Sequence, residues 1–145
     1  MNTKTPNIAI AVRAVIDAPV QKVWEYWTNP KHIVHWNYAS HDWHTPRAEN
    51  DLRPGGKFVS RMEARDGSIG FDFSGKYSNV QQHTLIEYIL DDNRKVEVRF
   101  EPDGNKTKIT EVFEAEQENT VELQETGWQA ILTNFKNHVE ASEKE

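Results

Sequence analysis

Residues 85–113 read LIEYILDDNRKVEVRFEPDGNKTKITEVF, and this stretch decides the fold. It contains three runs that we interpret as strands, namely 85–90, 96–100 and 107–113, and in the second Val96, Val98 and Phe100 alternate with Glu97 and Arg99. A period of two residues is typical of a strand with one buried face. The segments between the runs are rich in Asp, Asn, Gly and Pro, which favour tight turns. Short turns join neighbouring strands, so the stretch predicts an antiparallel meander.

Three further strands precede this meander. The alternation from Ile8 to Ile16 predicts the first strand. The second is predicted from Phe58 to Ala64 and the third from Ile69 to Tyr77, with a turn between them. Gly75 in the third strand predicts a bulge or bend, because glycine inside a strand often marks one. The sequence therefore predicts six strands.

Two short helices and one long helix accompany the strands. Pro19 and Pro30 each suit the first turn of a helix, where the missing N–H of proline has no partner to lose. We therefore expect two short helices directly after the first strand. Near the C-terminus, helical spacing of apolar residues predicts the longest helix. Those residues are Leu123, Trp128, Ile131, Leu132, Phe135 and Val139. Asn119 is the predicted N-cap, with Glu122 reaching back in a capping box.

This order of elements predicts an α+β domain. A curved six-stranded antiparallel sheet needs cover on its concave face, and the long C-terminal helix supplies it. We expect residues 1–145 to form a single domain, since the length suits one domain and no linker interrupts the chain. Residues 1–6 and 141–145 are expected to fray. Residues 37–51 show no period and are predicted to be a long loop, whose length indicates a function.

The composition excludes several classes of protein. The chain carries 17 Lys and Arg against 23 Asp and Glu, without a dense basic cluster, so we exclude nucleic acid as a partner. Its 5 Trp, 6 Phe and 4 Tyr exclude a disordered chain. No apolar run is long enough for a membrane span. The absence of Cys fits a reducing compartment, and no signal peptide is visible, so we predict a cytoplasmic location.

A group of histidines is the pattern closest to a metal site. His32, His35, His41 and His44 lie close together in the sequence, and zinc takes imidazole ligands. Ligand pairs on a helix need a spacing of four residues, however, and His32 and His35 are three apart. We therefore predict no metal and no cofactor. The chain also lacks a nucleophile elbow, so we predict no catalytic residues and lean against an enzyme.

The inward faces of the strands and of the long helix carry many large aromatic side chains. These side chains either fill an ordinary core or form the wall of an apolar pocket, and the pattern leaves both alternatives open. The predicted wall residues are Trp36, Phe58, Met62, Phe71, Phe73, Tyr77, Tyr88, Glu111, Trp128, Ile131, Leu132 and Phe135. Glu111 shares the parity of Ile109 and Phe113, so its carboxyl group must find a partner or have its pKa raised.

An ordered set of short motifs resembles the activator-of-heat-shock-protein-90-ATPase homologue (AHSA) family. The motifs are Ile16-Asp17-Ala18-Pro19, Val23-Trp24, Trp27-Thr28, Pro30, Trp36, Asp51-Leu52-Arg53-Pro54-Gly55-Gly56, Gly75-Lys76-Tyr77, Gly127-Trp128-Gln129 and Phe135. This family belongs to the birch-pollen-allergen-like superfamily, also called START-like or SRPBCC. The resemblance spans Ile8 to Val139 and implies a helix-grip fold, in which a bent sheet surrounds the C-terminal helix and leaves a cavity. It therefore favours the pocket.

The resemblance implies three functions. The one we favour is binding of a small hydrophobic or amphipathic molecule, such as a lipid or polyphenol, in the cavity. The second is contact with the heat-shock protein 90 chaperone or a stress-response role. The eukaryotic co-chaperone of the family carries an additional N-terminal chaperone-binding domain, which we do not expect in this chain. The third is catalysis of the cyclase or hydrolase type, for which Glu111, the tyrosines and His41 or Asp42 are the available polar groups.

Overall fold

The structure is a computed structural model that describes residues 8–144. Within this range the chain forms seven strands and three helices. The strands are β1 (Ala9–Ile16), β2 (Trp43–Asn50), β3 (Lys57–Ala64), β4 (Gly70–Gln81), β5 (Leu85–Leu90), β6 (Lys95–Asp103) and β7 (Lys106–Glu114). The helices are α1 (Val20–Thr28), α2 (Pro30–Ile33) and α3 (Val121–Glu143). Among the described residues, no helix has the length and apolarity needed to cross a membrane.

All the strands belong to one antiparallel sheet in the order β1-β7-β6-β5-β4-β3-β2. From β2 to β7 each strand pairs with the next one along the chain, so the predicted meander is confirmed. β1 pairs with β7, which leaves β1 and β2 as the two edges of the sheet. The sheet curls around α3, as the α+β prediction requires.

The strand count corrects the prediction of six strands. The missed strand is β2, which occupies most of the predicted loop at residues 37–51. Its sequence contains Pro46 and does not alternate, and its pairing with β3 shifts register between His44 and Arg47. An edge strand tolerates proline and a bulge because one of its sides needs no ladder hydrogen bonds. β2 therefore pairs through its backbone and leaves no strand period in the sequence.

Side chains of α3 cover the free edge of β1. The Gln129 amide accepts a hydrogen bond from Arg13 N and donates one to Arg13 O. Lys136 Nζ donates to Val15 O over 2.7 Å, and Asp17 N donates to Glu140 Oε2 over 2.9 Å. An uncovered edge would expose unpaired backbone groups, so these bonds both protect β1 and attach the helix to it. The helix is thus held along one side of the curled sheet.

The ends of α3 differ from the prediction. Its N-cap is Thr120, whose Oγ1 accepts a hydrogen bond from Leu123 N over 3.1 Å, so Asn119 and Glu122 do not form the predicted capping box. At the other end the helix continues to Glu143, whose carboxylate accepts a hydrogen bond from Tyr26 Oη. Residues 141–143 are therefore helical. The predicted fraying of residues 1–6 and of residue 145 lies outside the described residues.

The apolar core lies at one end of the concave face. It joins β1, β6 and β7 to α1 and to the C-terminal half of α3. Its fully buried side chains include Ile16, Val23, Val98, Phe100, Ile109, Leu132, Phe135 and Val139. The N-terminal half of α3 faces the other part of the sheet, where β3, β4 and β5 curl away from it.

Candidate functional site

A pocket lies between the concave face of the sheet and the N-terminal half of α3. Its volume is about 390 Å³, which is in the range of small-molecule sites. β3, β4 and β5 supply much of its floor, and α3 supplies its roof. Ten of the predicted wall residues line it: Trp36, Phe58, Met62, Phe71, Phe73, Tyr77, Tyr88, Glu111, Trp128 and Ile131. Their role in binding a ligand stays a prediction.

Leu132 and Phe135 do not line the pocket, which corrects the predicted wall. Both are fully buried in the core. The ring of Phe135 packs edge-on against Trp27 and Trp36, with centroid distances of 4.8 Å and 4.9 Å. α3 therefore packs tightly through its C-terminal half and spans open space with its N-terminal half. Helical spacing identifies the inward face of a helix but cannot tell which part of that face meets a neighbour.

Trp128 and Gly127 form the roof of the pocket. The indole of Trp128 stacks on Phe113 of β7, with a centroid distance of 3.8 Å and an interplanar angle of 8°. Its edge also approaches Phe73 of β4 at 6.1 Å. A Cβ atom added to Gly127 would meet no atom within 4 Å, so the space beneath this turn of the helix is open. The roof thus rests on one aromatic stack beside a gap.

Phe58 forms a large part of the floor, and Gly75 makes room for it. The ring of Phe58 packs against Tyr77 at 5.3 Å. A Cβ atom at position 75 would lie 3.0 Å from Phe58 Cε1 and 2.6 Å from the Ile89 carbonyl oxygen, which is too close for any side chain. The register shift in β4 lies between Tyr77 and Asn79. Of the predicted bulge or bend at Gly75, the bulge is therefore wrong at this position, and the glycine serves close packing.

The mouth of the pocket has an apolar rim. Phe71 at the start of β4 is 47% exposed, and Leu123 in the first turn of α3 is 59% exposed. Both residues line the pocket. Parity alone predicts Phe71 to be an inward wall residue, whereas the structure places it at the rim, because β4 begins beyond the cover of the helix. An apolar ligand would cross these two side chains on entry.

Several polar side chains of the pocket are already engaged within the protein. Tyr77 Oη donates a hydrogen bond to Asn50 Oδ1 over 2.5 Å, and Asn50 Nδ2 donates to Thr28 O over 2.7 Å. Burial raises the pKa of Tyr77 far above its ordinary value, so it remains a hydroxyl donor. Asn37 Nδ2 donates to Ser60 Oγ over 3.1 Å. These bonds hold β2 and the segment after α2 against the pocket wall.

Gln124 closes the end of the pocket near the start of α3. Its side chain is buried, and its Oε1 accepts a hydrogen bond from Glu116 N over 2.9 Å. Its Nε2 donates to the carbonyl oxygens of Glu116 and Asn119, at 3.2 Å and 2.9 Å. The amide therefore fixes the connection between β7 and α3. This fixed connection sets the position of the roof over the floor.

Glu111 and Tyr88 are polar groups that the protein leaves available. Both side chains are buried, and no group among residues 8–144 forms a hydrogen bond with either the Glu111 carboxyl or the Tyr88 hydroxyl. Among these residues, every side-chain oxygen or nitrogen that is completely enclosed has a hydrogen-bond partner. Because the Glu111 carboxyl and the Tyr88 hydroxyl have none, they are not completely enclosed and open onto the pocket. Burial raises the pKa of Glu111 to about 8. Burial, and to a smaller extent the nearby charge of Glu111, raises the pKa of Tyr88 well above 10.

Some lining residues escape the sequence analysis. They are Trp27, Ile33, Asn37, Glu49, Asn50, Ile86, Arg94, Glu116, Asn119, Leu123, Gln124 and Gly127. Strand parity could have found Ile86, which shares the face of Tyr88, as it does Ser60 beside Met62, and helical spacing could have found Leu123. Glu49 and Asn50 belong to the missed strand β2. The remaining residues reach the pocket through tertiary packing, and no local pattern marks them.

The predicted histidine group is divided in the structure. His32 and His35 meet His138 of α3 instead of His41 and His44. His32 Nδ1 lies 3.3 Å from His138 Nε2, and the rings of His35 and His138 stack at 5.7 Å. Partial burial, then the charges of His32 and His35, lowers the pKa of His138. Among residues 8–144, no group of three or more His, Cys, Asp or Glu side chains is arranged to hold a metal ion.

The remaining polar candidates lie outside the pocket. His41 and Asp42 are exposed in the turn before β2 and do not line the pocket. His44 Nε2 lies 3.8 Å from Glu63 Oε1 on β3. Among the described residues, the lining of the pocket therefore includes Glu111 and Tyr88 as buried polar groups without a hydrogen-bond partner, and it includes no histidine.

Comparison with known proteins places this geometry in a family. The family described as "Activator of Hsp90 ATPase homolog 1-like protein" matches residues 17–140. The chain is similar to the solution structure of an AHSA1-like protein from Aeromonas hydrophila, with 42% identity and a TM-score of 0.89, covering 95% of this chain and 96% of that one. A solution structure from Cytophaga hutchinsonii has 46% identity and a TM-score of 0.78, covering 95% and 94%.

More distant structures share the fold alone. A crystal structure of a protein from Nitrosomonas europaea has 19% identity and a TM-score of 0.80, covering 95% of this chain and 97% of that one. A search of curated proteins finds no significant match. The family match spans most of the chain, including the strands and the helix that frame the pocket. The chain therefore belongs to the activator-of-Hsp90-ATPase homologue 1-like family, as its motifs indicate.

Proposed function

We propose that this protein binds a small hydrophobic or amphipathic molecule between its sheet and α3. The observation that carries the proposal is the pocket of about 390 Å³, whose aromatic walls also hold the Glu111 carboxyl and the Tyr88 hydroxyl. Apolar walls with a few polar groups are the usual composition of ligand sites, because burial supplies affinity and the polar groups supply orientation. The exposed rim residues Phe71 and Leu123 give such a molecule a path to the interior.

The experiment is a chemical-shift perturbation screen of the labelled protein with lipids, polyphenols and other aromatic metabolites. Binding in the pocket should shift the resonances of Phe73, Trp128 and Ile131. The variant Ile131→Trp fills the roof and should abolish these shifts. Its matched control is Ile89→Trp, which puts the same ring on the opposite, exposed face of β5 and should leave them unchanged. Shifts confined to the outer face of the sheet would contradict the proposal.

A chaperone-binding function is the second candidate, and the family match favours it. Under this proposal an outer surface of the domain contacts heat-shock protein 90 as part of a cytoplasmic stress response. Titration of the labelled protein with the middle domain of that chaperone tests it. Perturbation of exposed residues by the chaperone, together with no pocket shifts in the ligand screen, would replace the first proposal with the second. Catalysis is part of neither proposal.

A further inference from the structure

Glu111 stands in an otherwise apolar row across the floor of the sheet. In the strand register it lies between Val12 of β1 and Val98 of β6, and Val98 in turn faces Ile86 of β5. These three neighbours are almost completely buried, at 2%, 0% and 1% exposure. An ionised carboxylate in such a place is strongly unfavourable unless an opposite charge or hydrogen-bond donors meet it. The protein supplies neither, since no described group forms a hydrogen bond with it.

The charged groups around the pocket do not compensate Glu111. The other charged residues that line it are Glu49, Glu116 and Arg94. Arg94 is engaged elsewhere, because its Nε donates to Asp92 Oδ2 over 2.7 Å and its Nη1 donates to Glu114 O over 3.2 Å. The lining thus carries three carboxyl groups and one guanidinium that is already paired. Electrostatics in the pocket therefore oppose an anion and favour a cation.

The aromatic walls favour a cation as well. Phe58, Phe73, Tyr88 and Trp128 present rings to the same space as the Glu111 carboxyl. The faces of such rings attract ammonium groups, and the attraction is strongest where water is excluded. The rings also provide the apolar surface that an uncharged part of a ligand needs. A molecule that combines an apolar body with one positive charge matches both features.

We propose that the ligand of this pocket is an amphipathic amine, whose ammonium group donates a hydrogen bond to the Glu111 carboxylate while its apolar body lies against the aromatic walls. This inference rests on the proposed ligand-binding function and names the chemical class of the ligand. It predicts that carboxylate-bearing molecules, fatty acids among them, are poor ligands. It also assigns Tyr88 Oη as a second polar contact beside the ammonium group.

Binding of an amine should release a proton. In the empty pocket burial raises the pKa of Glu111 to about 8, so the carboxyl group is mostly protonated at pH 7. The charged amine restores the carboxylate, and the proton passes to the buffer while the ligand keeps its own. The titratable or charged groups facing this site are Tyr88 and Tyr77 on the floor, Arg94 beside them, and Glu49 and Glu116 toward the rim. Tyr88 and Tyr77 stay protonated at pH 7.

The test compares three probes of one shape by calorimetry and chemical shifts: 1-naphthylmethylamine, 1-naphthylmethanol and 1-naphthoate. The amine should bind about tenfold more tightly than the alcohol, and the carboxylate most weakly, because a charge-assisted hydrogen bond forms with the amine alone. Calorimetry in buffers of different ionisation enthalpy should show release of close to one proton per amine at pH 7 and none for the alcohol.

Two variants separate the role of Glu111 from the net charge of the protein. Glu111→Gln should weaken amine binding about tenfold and leave alcohol binding within about threefold. Its matched control is Glu87→Gln, which makes the same substitution on the opposite face of the sheet, outside the pocket, and should change neither affinity. If Glu111→Gln fails to fold, the proton release of the unaltered protein still decides the question.

The outcomes distinguish this inference from the proposed function. Equal or tighter binding of the alcohol or carboxylate, or amine binding without proton release, would overturn the amine class while leaving the pocket as a binding site. Binding of lipids or polyphenols in the screen, without binding of the amine, would likewise overturn the amine class and leave the pocket as a binding site. Failure of the three probes and of the whole screen to shift pocket resonances would overturn both proposals.

Discussion

Replacing Glu111 with Gln should stabilise the empty protein, and the gain should grow with pH. The carboxyl group has a pKa of about 8 in the folded protein and an ordinary value of 4.5 in the unfolded chain. Between these values the unfolded chain releases a proton that the folded protein retains. The free energy of unfolding of the native protein therefore falls as pH rises through this window, by about 1.4 kcal/mol for each pH unit. Gln imitates the protonated carboxyl group and does not titrate.

The size of the effect follows from this window. The difference in unfolding free energy between Glu111→Gln and the native protein should be small near pH 5. It should grow to about 3 kcal/mol at pH 7 and level off near about 5 kcal/mol above pH 8. These values are a large part of the total stability of a domain of this size, which is of the order of 5–15 kcal/mol. Removal of one buried group would thus produce a readily measured change.

The assay is urea unfolding followed by tryptophan fluorescence at pH 5, 6, 7 and 8. Glu87→Gln is the control, since it makes the same substitution at a half-buried glutamate on the other face of the sheet, outside the pocket. His138 titrates in all three proteins and cancels in the differences. Stability curves of Glu111→Gln and the native protein that run parallel from pH 5 to pH 8 would refute the reasoning, because the carboxyl group would then titrate equally in both states.

Three further changes test the pocket and the histidine group. Ile131→Trp should cost less than about 1 kcal/mol of unfolding free energy, because the larger ring enters open space; a cost of ~1–3 kcal/mol would indicate a packed core. Gly127→Ala should stabilise α3 by about 1 kcal/mol in urea unfolding, since its new methyl group meets no atom and glycine is a poor helix former; a loss of stability would contradict the open space. His138→Asn should reduce the loss of melting temperature between pH 7 and pH 5. Burial, then the charges of His32 and His35, lowers the pKa of His138, so below pH 6.5 the unfolded chain takes up a proton that the folded protein resists. Equal losses of melting temperature in both proteins would argue against this role of His138.

Strand parity could be read from the sequence because it is a property of the local backbone. Successive side chains of a strand point to opposite faces, so alternation alone placed Phe58, Phe73, Tyr77 and Tyr88 on one side of the sheet. The same rule placed Glu111 among apolar neighbours and predicted either a partner for its carboxyl group or a raised pKa, and the structure shows the raised pKa, which burial causes. Turn residues at regular spacing likewise predicted the order of the meander. These features depend on residues close together in the chain.

Other features depend on groups far apart in the chain, and only the tertiary structure decided them. β2 forms because its backbone pairs with β3, although its sequence contains Pro46 and shows no strand period, and its pairing includes a register shift. His138 joins His32 across 106 residues, which no spacing within the sequence group of histidines could indicate.

The division of α3 into a packed half and a roof is the clearest case of this kind. Gln129 and Lys136 attach the helix to the edge of β1, and this attachment sets how far it stands from the opposite wall. Phe135 therefore enters the core, while Ile131, one turn earlier on the same inward stripe, faces the pocket. Helical periodicity specifies the direction of a side chain. The distance to the facing surface is set by contacts between separate elements, so the existence and extent of the pocket follow from the folded chain alone.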